Sequence, residues 1–172
     1  MGERPDGEDS HGVPLLEADA WPLRMVVAIV SGEKKAVGST AGMLESERTS
    51  PFWPAWVAGG PADVQAAIEA VHRRDLAALG AVMEASTFRM HAVMHTTLPP
   101  ILYWQPATVA CLHAVRALRE RGVPAWATMD AGPNVKVLCA PEHAAAVGAA
   151  LAPHVSAVVT LSPGPGAHLV DA

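Results

Sequence analysis

The sequence predicts an α+β domain in which helices pack on one face of an antiparallel sheet of about four strands. Three observations support this fold class. The 172 residues are enough for one domain. The composition, with 33 alanines and only 5% aromatic residues, favours a helix-rich core over a β-sandwich. After Gly122 the period of the apolar residues changes from that of a helix to that of a strand.

The predicted sheet comes from four apolar runs of strand length. They are Leu23–Val30, Ala125–Asp130, Val135–Ala140 and Ser156–Ser162. Only the residues Ala-Gly-Pro-Asn separate the second and third runs, so we expect these two strands to be antiparallel. Helices lie between the first and second runs and between the third and fourth. This order is that of a split β-α-β, ferredoxin-like sandwich.

Start signals and spacing predict the helices. We expect Ser39 or Thr40 to cap a short first helix, and Asp75 to cap a long helix that runs toward Met94. Between these two, a Gly-Gly-Pro sequence is expected to separate the short helix Pro51–Ala58 from the helix Ala62–His72. Two more predicted helices are Pro106–Arg121 and Glu142–Leu151.

Acidic residues are concentrated at the start of the chain. Residues 1–20 hold six of the 17 Asp and Glu residues but one of the 12 Lys and Arg residues, and their prolines and glycines predict a loop-like leading segment. Residues 21–172 are expected to form the single α+β domain, in which the charges balance. Because no basic stripe is present, we expect neither a nucleic acid nor a membrane as partner.

The predicted compartment is the cytoplasm. The sequence contains no run of about 18 apolar residues and no apolar segment typical of a signal peptide. Cys111 and Cys139 lie in apolar surroundings without a Cys-x-x-Cys pattern. This is typical of small buried side chains in a reducing compartment, and not of a disulfide or a zinc site.

Asp130 is the strongest candidate for chemistry. It ends the second predicted strand and enters the turn Asp-Ala-Gly-Pro-Asn. Aspartate is common in turns, where its carboxylate accepts hydrogen bonds from the backbone two residues on. A carboxylate at a strand end can also act as a general base when a substrate hydroxyl comes within hydrogen-bond distance. The residues alone leave both interpretations open.

The run Val37–Met43 is the second candidate. Ser39 and Thr40 in this run are typical of an ordinary helix cap. Two hydroxyls and the free N–H groups of a helix start also suit an oxygen of a phosphate or carboxylate. Lys34 and Lys35 lie just upstream, where they add positive charge or form a solvated pair.

Two histidines on the long predicted helix are candidate metal ligands. His91 and His95 are four residues apart and so share a helix face. The zinc-protease pattern requires a Glu directly after the first His, where Ala92 stands, and no third ligand is indicated. The sequence therefore predicts no metal site, and it marks His72 and His113 as single core or surface histidines.

Three segments carry a resemblance to a known family. GSTAGMLESERTSP, MHAVMHTTLPPILYW and MDAGPNVKV, in this order and spacing, resemble the C-terminal half of diphosphomevalonate decarboxylases. That family belongs to the superfamily of galactokinase, homoserine kinase and mevalonate kinase. The likeness runs from about Asp9 to the last predicted strand. It is greatest to bacterial members, which also carry the Tyr-Trp pair found here as Tyr103 and Trp104.

The resemblance implies an enzyme that uses ATP and Mg²⁺ to phosphorylate the C3 hydroxyl of 5-diphosphomevalonate. Phosphate and CO₂ are then lost, and isopentenyl diphosphate remains. Asp130 falls on the family's catalytic aspartate, which contacts that hydroxyl, and Ala131 follows it in the pocket. Ser39, Thr40 and Met43 fall on the substrate-lining Ser-x-x-Gly-Met motif.

The sequence departs from the family pattern at several places. Ser86-Thr87-Phe88 stand where many members have Asp-Ser-Asn, Thr96 replaces an Asp, and Gly38-Ser39 replaces a Ser-Ser pair. A related phosphomevalonate decarboxylase therefore stays an alternative, and so does a mevalonate 3-kinase. The presence of Asp130 favours a decarboxylase over the kinase.

Family members also have an N-terminal half that carries a phosphate loop and most nucleotide contacts. No segment of this sequence matches that half. The resemblance therefore implies a C-terminal domain that is inactive alone and whose missing partner is the N-terminal, ATP-binding domain. The face that would contact that domain could instead support a homodimer. An alternative from another class is a stand-alone, non-catalytic α+β module that binds a ligand or a partner chain.

Overall fold

The structure is a computed structural model that describes residue 8 and residues 11–33 and 35–166. The described part of the segment 1–20 contains turns and bends but no helix or strand. The rest of the described chain contains four strands and five helices, joined in places by short 3₁₀ turns. In chain order they are β1 (Arg24–Ile29), α1 (Ser39–Thr49), α2 (Trp53–Arg73), α3 (Leu76–His95), α4 (Pro106–Glu120), β2 (Ala125–Thr128), β3 (Val135–Cys139), α5 (Ala144–Leu151) and β4 (Ala157–Leu161).

The four strands form one antiparallel sheet in the order β2-β3-β1-β4. Val137 at the centre of β3 lies opposite Val26 of β1 and Ala127 of β2, and Thr160 of β4 lies opposite Val26 on the other side. Strands β2 and β3 form the predicted hairpin. The α+β, ferredoxin-like fold class is therefore confirmed, with each strand one or two residues shorter than the sequence indicated.

The main core lies between one face of the sheet and the helices α4 and α5. Because side chains alternate along a strand, β1 and β3 turn every second residue toward these helices. All members of this core are buried, and most are small or β-branched. They include Val26, Ala28, Val135, Val137 and Cys139 from the sheet, and Cys111, Val115, Leu118, Val147 and Leu151 from the helices. Burial raises the pKa of the Cys111 and Cys139 thiols, and neither forms a disulfide.

Helix α3 lies along the edge of β2 and supplies the partners that a neighbouring strand would give. The Glu84 Oε1 atom accepts the Ala127 N–H at 3.1 Å, and the Thr87 hydroxyl accepts the Met129 N–H at 3.0 Å. The hydroxyl also donates to the Met129 carbonyl at 2.7 Å. Side chains therefore satisfy backbone groups that an edge strand ordinarily leaves exposed.

The absence of a side chain at Gly80 allows α3 to pack closely against β2. The Trp126 ring lies directly over this glycine, so that a Cβ placed there would be 2.2 Å from the Trp126 Cδ2 atom. One helical turn after Gly80, Glu84 forms a bidentate ion pair with Arg119 of α4, with N–O distances of 3.0 and 2.9 Å. Arg119 in turn donates to the Ala125 carbonyl at 2.7 Å, which ties both helices to the strand.

Two local predictions for the helices are wrong. Gly38, and not Ser39 or Thr40, occupies the N-cap of α1, and no side chain caps this helix. The Gly-Gly-Pro sequence does not end a helix, because α2 runs unbroken through Pro61. Pro61 cannot donate to the Val57 carbonyl, but Val57 is half exposed and water can hydrate that oxygen. Packing of α2 against α3 then outweighs the local cost.

The predicted starts of α3 and α4 are confirmed. The Asp75 side chain caps α3 by accepting the Ala78 N–H at 2.9 Å. Pro106 is the first residue of α4, and Gln105 before it forms a capping box with Thr108. In the described part of the chain, we found no helix with the length and apolar character needed to span a bilayer.

Candidate functional site

The loop between β2 and β3 carries Asp130 and is fixed by side chains of two helices and by its own Asn134. Thr87 of α3 holds both backbone groups of Met129, as described above. The Thr108 hydroxyl of α4 donates to the Pro133 carbonyl at 2.7 Å. At the end of the loop the Asn134 side chain accepts two backbone N–H groups from the end of β1, at 2.8 and 3.1 Å. The backbone on both sides of Asp130 is therefore held in place.

Asp130 itself lies two residues beyond β2, with 70% of its side chain exposed. Its Oδ1 atom is 2.7 Å from the Lys136 Nζ atom on β3. Within the turn, the Gly132 N–H donates to the Asp130 backbone carbonyl at 2.7 Å, and not to the carboxylate. The side chain is therefore paired across the hairpin and directed toward solvent.

The charges around Asp130 favour its ionised form. Partial burial raises the pKa of this carboxyl, but the hydrogen bond and positive charge of Lys136 lower it more, and a hydrogen bond from the backbone of Asp130 itself and the charge of Lys35 add to their effect. The net result is a pKa below the ordinary value. The carboxylate is therefore charged at neutral pH and can accept a hydrogen bond from a hydroxyl.

Lys35 connects the β1–α1 loop to the same site. Its Nζ atom donates to the Ala131 carbonyl at 2.5 Å and lies 5.9 Å from the centre of the Tyr103 ring. Lys34, the other lysine of the predicted pair, lies outside the described residues. Lys35 thus makes specific contacts with the site and is not simply solvated.

Ala131 and Met43 contact one apolar cluster beside Asp130. Ala131 is buried with Met94, Ile101 and Tyr103, and Met43 of α1 packs against them. Two of the residues that the resemblance places in the pocket, far apart in the sequence, are therefore neighbours in the fold.

Ser39 and Thr40 are both exposed in the first turn of α1. The first hydrogen bond of this helix is donated by the Gly42 N–H to the Gly38 carbonyl. The N–H groups before it therefore have no partner within the helix. Over the residues that the structure describes, no hydrogen bond or ion pair joins either hydroxyl to Asp130. Their place beside this carboxylate stays a prediction.

Tyr103 fixes the start of α1 relative to the loop. Its hydroxyl donates to the Val37 carbonyl at 3.2 Å, and its ring belongs to the same cluster as Ala131. Gly42 permits this approach, because a Cβ there would lie 2.9 Å from the Tyr103 hydroxyl oxygen. Tyr103 therefore contacts the start of α1 through its hydroxyl and the Asp130 loop through its ring.

A cleft of about 530 Å³ opens between the β1–α1 loop and the segment that precedes α4. It contains a charged lysine, an acidic residue and an aromatic ring, and it borders the Asp130 loop at Pro133. Its polar and aromatic lining residues are Ser31, Glu33, Lys35, Tyr103 and Gln105. The cleft is large enough for part of a small-molecule ligand.

His91 lies beneath the loop and is fully buried. Neither of its ring nitrogens has a hydrogen-bond partner of regular geometry among the described residues. Burial lowers the pKa of His91 to about 4, and the charge of His95 contributes, although the backbone and carboxylate of Asp130 oppose the shift. His91 is therefore neutral at physiological pH. The described part of the chain contains no group of three or more His, Cys, Asp or Glu side chains arranged to hold a metal ion.

Sequence reasoning missed several partners of the loop, among them Lys136 and Thr87. Strand alternation offered a signal for the first, because Lys136 lies opposite Thr128 and Asp130 is two residues further along the same face. No comparable signal marked Thr87, since its contact with Met129 depends on how α3 lies against the edge of β2.

Comparisons with known proteins agree with this fold. Residues 25–162 match the family described as mevalonate 5-diphosphate decarboxylase C-terminal domain. Diphosphomevalonate decarboxylase from Ganoderma lucidum is 33% identical over 151 residues, which cover 83% of this chain and 38% of that protein. The chain thus spans less than two fifths of that relative.

Two solved structures have a similar fold. Mevalonate diphosphate decarboxylase from Enterococcus faecalis, described in terms of an ATP binding mechanism mediated by mevalonate diphosphate, is 34% identical. It superposes with a TM-score of 0.76 over 84% of this chain and 44% of its own. The structure described as MDDEF in complex with MVAPP, AMPPCP and magnesium is 35% identical, with a TM-score of 0.78 over 84% of this chain and 45% of its own. Since the family match covers most of the residues and the fold agrees, this chain belongs to the family of mevalonate 5-diphosphate decarboxylase C-terminal domains.

Proposed function

We propose that this chain is the C-terminal domain of an ATP-dependent decarboxylase that converts 5-diphosphomevalonate to isopentenyl diphosphate, with release of CO₂, ADP and phosphate. The observation that carries the proposal is the exposed, ionised carboxylate of Asp130, held on a fixed loop in a chain of this family. ATP and Mg²⁺ are the proposed cofactors of the full-length enzyme, in keeping with the AMPPCP and magnesium of the solved relative.

Asp130 is the proposed catalytic residue. A tertiary hydroxyl such as that at C3 is a weak nucleophile, and a carboxylate about 2.6–3.2 Å away can orient it and accept its proton. The low pKa makes Asp130 a weak base. This suits phosphoryl transfer through a loose transition state, because the nucleophile then needs correct placement more than early deprotonation.

The remaining proposed site residues surround this position. Ala131 and Met43 supply apolar surface from the cluster beside Asp130. Ser39 and Thr40 supply hydroxyls and unpaired N–H groups at the positive end of α1, where an anionic oxygen of the substrate is stabilised. We assign the phosphate loop, the metal contacts and most nucleotide contacts to the N-terminal domain, since the family resemblance places them there.

The proposed partners follow from the same assignment. They are the small-molecule substrate, the N-terminal domain and a second copy in a homodimer, and the proposed compartment is the cytoplasm. A phosphomevalonate decarboxylase is retained as the alternative substrate assignment. The reason is that Thr96 stands where many members have an Asp. Its hydroxyl makes hydrogen bonds within the protein, to the Ser50 hydroxyl at 2.7 Å and to the Ala92 carbonyl at 2.9 Å.

The test is substitution of Asp130 in the full-length enzyme. Asp130→Asn keeps the shape but removes the base, so kcat should fall at least ~10²-fold with little change in KM. The measurement is ATP-dependent release of CO₂ from carboxyl-labelled 5-diphosphomevalonate. Asp75→Asn is the matched control, because asparagine caps a helix as well as aspartate does, and its activity should stay near wild type. Near-wild-type turnover of Asp130→Asn would overturn the proposal.

A further inference from the structure

We propose that Lys136 is a positioning residue for Asp130, and that its strand-held ammonium group orients one carboxylate oxygen and leaves the other free for the substrate hydroxyl. The inference rests on the proposed function of Asp130. Nothing in the family resemblance assigned a role to this lysine, and the geometry of the hairpin is what points to it.

The position of Lys136 is fixed by the sheet. It lies on the central strand β3, opposite Val27 of β1 on one side and Thr128 of β2 on the other. Its neighbours Val135 and Val137 are buried in the core, so Lys136 projects from the opposite face. The lysine side chain is 27% exposed, whereas that of Asp130 is 70% exposed. The ammonium group is therefore the better-held member of the pair.

The pair leaves one oxygen of Asp130 available. Oδ1 is 2.7 Å from the Lys136 Nζ atom. In the described part of the chain, Oδ2 has no hydrogen bond or ion pair with another residue. The backbone at Gly132 lies beside this carboxylate, since a Cβ placed there would be in ordinary contact with Oδ1 at 3.5 Å. A hydroxyl that approaches from solvent would thus meet Oδ2.

Among the residues that the structure describes, three ionisable groups from three different elements face Asp130. Lys136 reaches it from β3, Lys35 from the β1–α1 loop, and the neutral His91 from α3. The ammonium group of Lys35 is already bonded to the Ala131 carbonyl, so it acts on Asp130 only through its charge. Without Lys136, partial burial would be opposed only by the hydrogen bond from the backbone of Asp130 itself and by the charge of Lys35. The pKa of Asp130 would then rise, and its carboxylate would become protonated at a higher pH.

A purely structural role for Lys136 predicts a different outcome. An ion pair this exposed contributes little to stability, so its loss should hardly affect folding or turnover. A positioning role predicts that kcat falls while KM is unchanged, and that the acidic limb of the pH–rate profile moves. These readouts separate the two roles.

The test compares Lys136→Met with Lys136→Arg, which keeps the charge. In this chain, carbon-detected NMR of the Asp130 carboxyl should show a higher pKa in Lys136→Met and a near-wild-type pKa in Lys136→Arg. In the full-length enzyme, Lys136→Met should lower kcat about tenfold and move the acidic limb to higher pH. Arg116→Met, which removes an exposed charge on α4, should change none of these quantities.

The possible failures can be told apart. An unchanged Asp130 pKa and kcat in Lys136→Met would overturn the role of Lys136 but leave the proposed function intact. Full activity of Asp130→Asn would overturn the proposed function whatever the NMR shows. Lys136→Gln repeats the comparison in case methionine disturbs the strand.

Discussion

Adding one methyl group should have opposite effects at two helical glycines of this chain. Gly80→Ala places a Cβ 2.2 Å from Trp126 Cδ2 and 2.3 Å from Cγ, whereas ordinary contacts lie at 3.4–4 Å. Both atoms are at the base of the ring, so the indole must retreat by more than ~1 Å. Gly59→Ala on α2 is the matched control, because a Cβ there meets nothing within 4 Å.

The expected magnitudes follow from two opposing contributions. Alanine in place of glycine stabilises a helix interior by about 1 kcal/mol, which is the full effect expected at Gly59. At Gly80 the forced displacement of Trp126 costs about 2–3 kcal/mol, so the net loss is about 1–2 kcal/mol. For a chain of this size, Gly59→Ala should raise Tm by about 2–4 °C and Gly80→Ala should lower it by a few degrees.

Thermal and urea unfolding of both variants, followed by circular dichroism, measures this difference. Trp126→Leu in the Gly80→Ala background should recover much of the loss, and a double-mutant cycle should show a favourable coupling of about 1 kcal/mol or more. Gly80→Ala stabilised to the same degree as Gly59→Ala would refute the packing described for α3 against β2.

Two further predictions concern a buried and a partly buried polar group, His91 and Glu84. Because folding lowers the pKa of His91 from 6.5 to about 4, the contribution of His91 to the free energy of unfolding is complete above about pH 6.5 and is lost as the pH falls toward 4. Urea unfolding should show a loss of up to about 3 kcal/mol over this range, and His91→Phe should flatten the dependence of the free energy of unfolding on pH. An equally steep profile in His91→Phe would assign the effect to other groups. Glu84→Ala removes the carboxylate partner of Arg119 and leaves the Ala127 N–H without a partner, so it should cost about 2–4 kcal/mol, whereas the exposed Glu69→Ala should cost less than about 0.5 kcal/mol. Similar stability of both Glu variants in urea would contradict the role of Glu84 at the strand edge.

The sequence was most informative where a local signal agrees with the tertiary fold. The change of apolar period located the hairpin, and Asp75 identified the start of α3 because its side chain makes the expected cap. The prediction of a break near Pro61 was wrong, since packing between α2 and α3 outweighs the local preference of glycine and proline. Local signals alone therefore located the boundaries of the strands better than those of α2.

The candidate site was predictable in part. Asp130 was found from its turn, and Ala131 and Met43 from the family resemblance; the fold then brings these last two together. The contact between Lys35 and the Ala131 carbonyl was not predictable, because it depends on the path of a loop that has no periodic pattern. Contacts between distant loops require the tertiary structure.

The two edges of the sheet differ in a way that affects how the chain can associate. At β2, the side chains of Glu84, Thr87 and Arg119 occupy the backbone groups that a new strand would need. At β4, most residues are exposed, and Val159 and Leu161 are nearly half exposed. Among the described residues, β4 is therefore the more accessible edge for an added strand, from a second copy or from an unfolded chain, and β2 is blocked. Growth of an aggregate by strand addition would be one-sided, and a charged residue on β4 would be the most direct way to stop it.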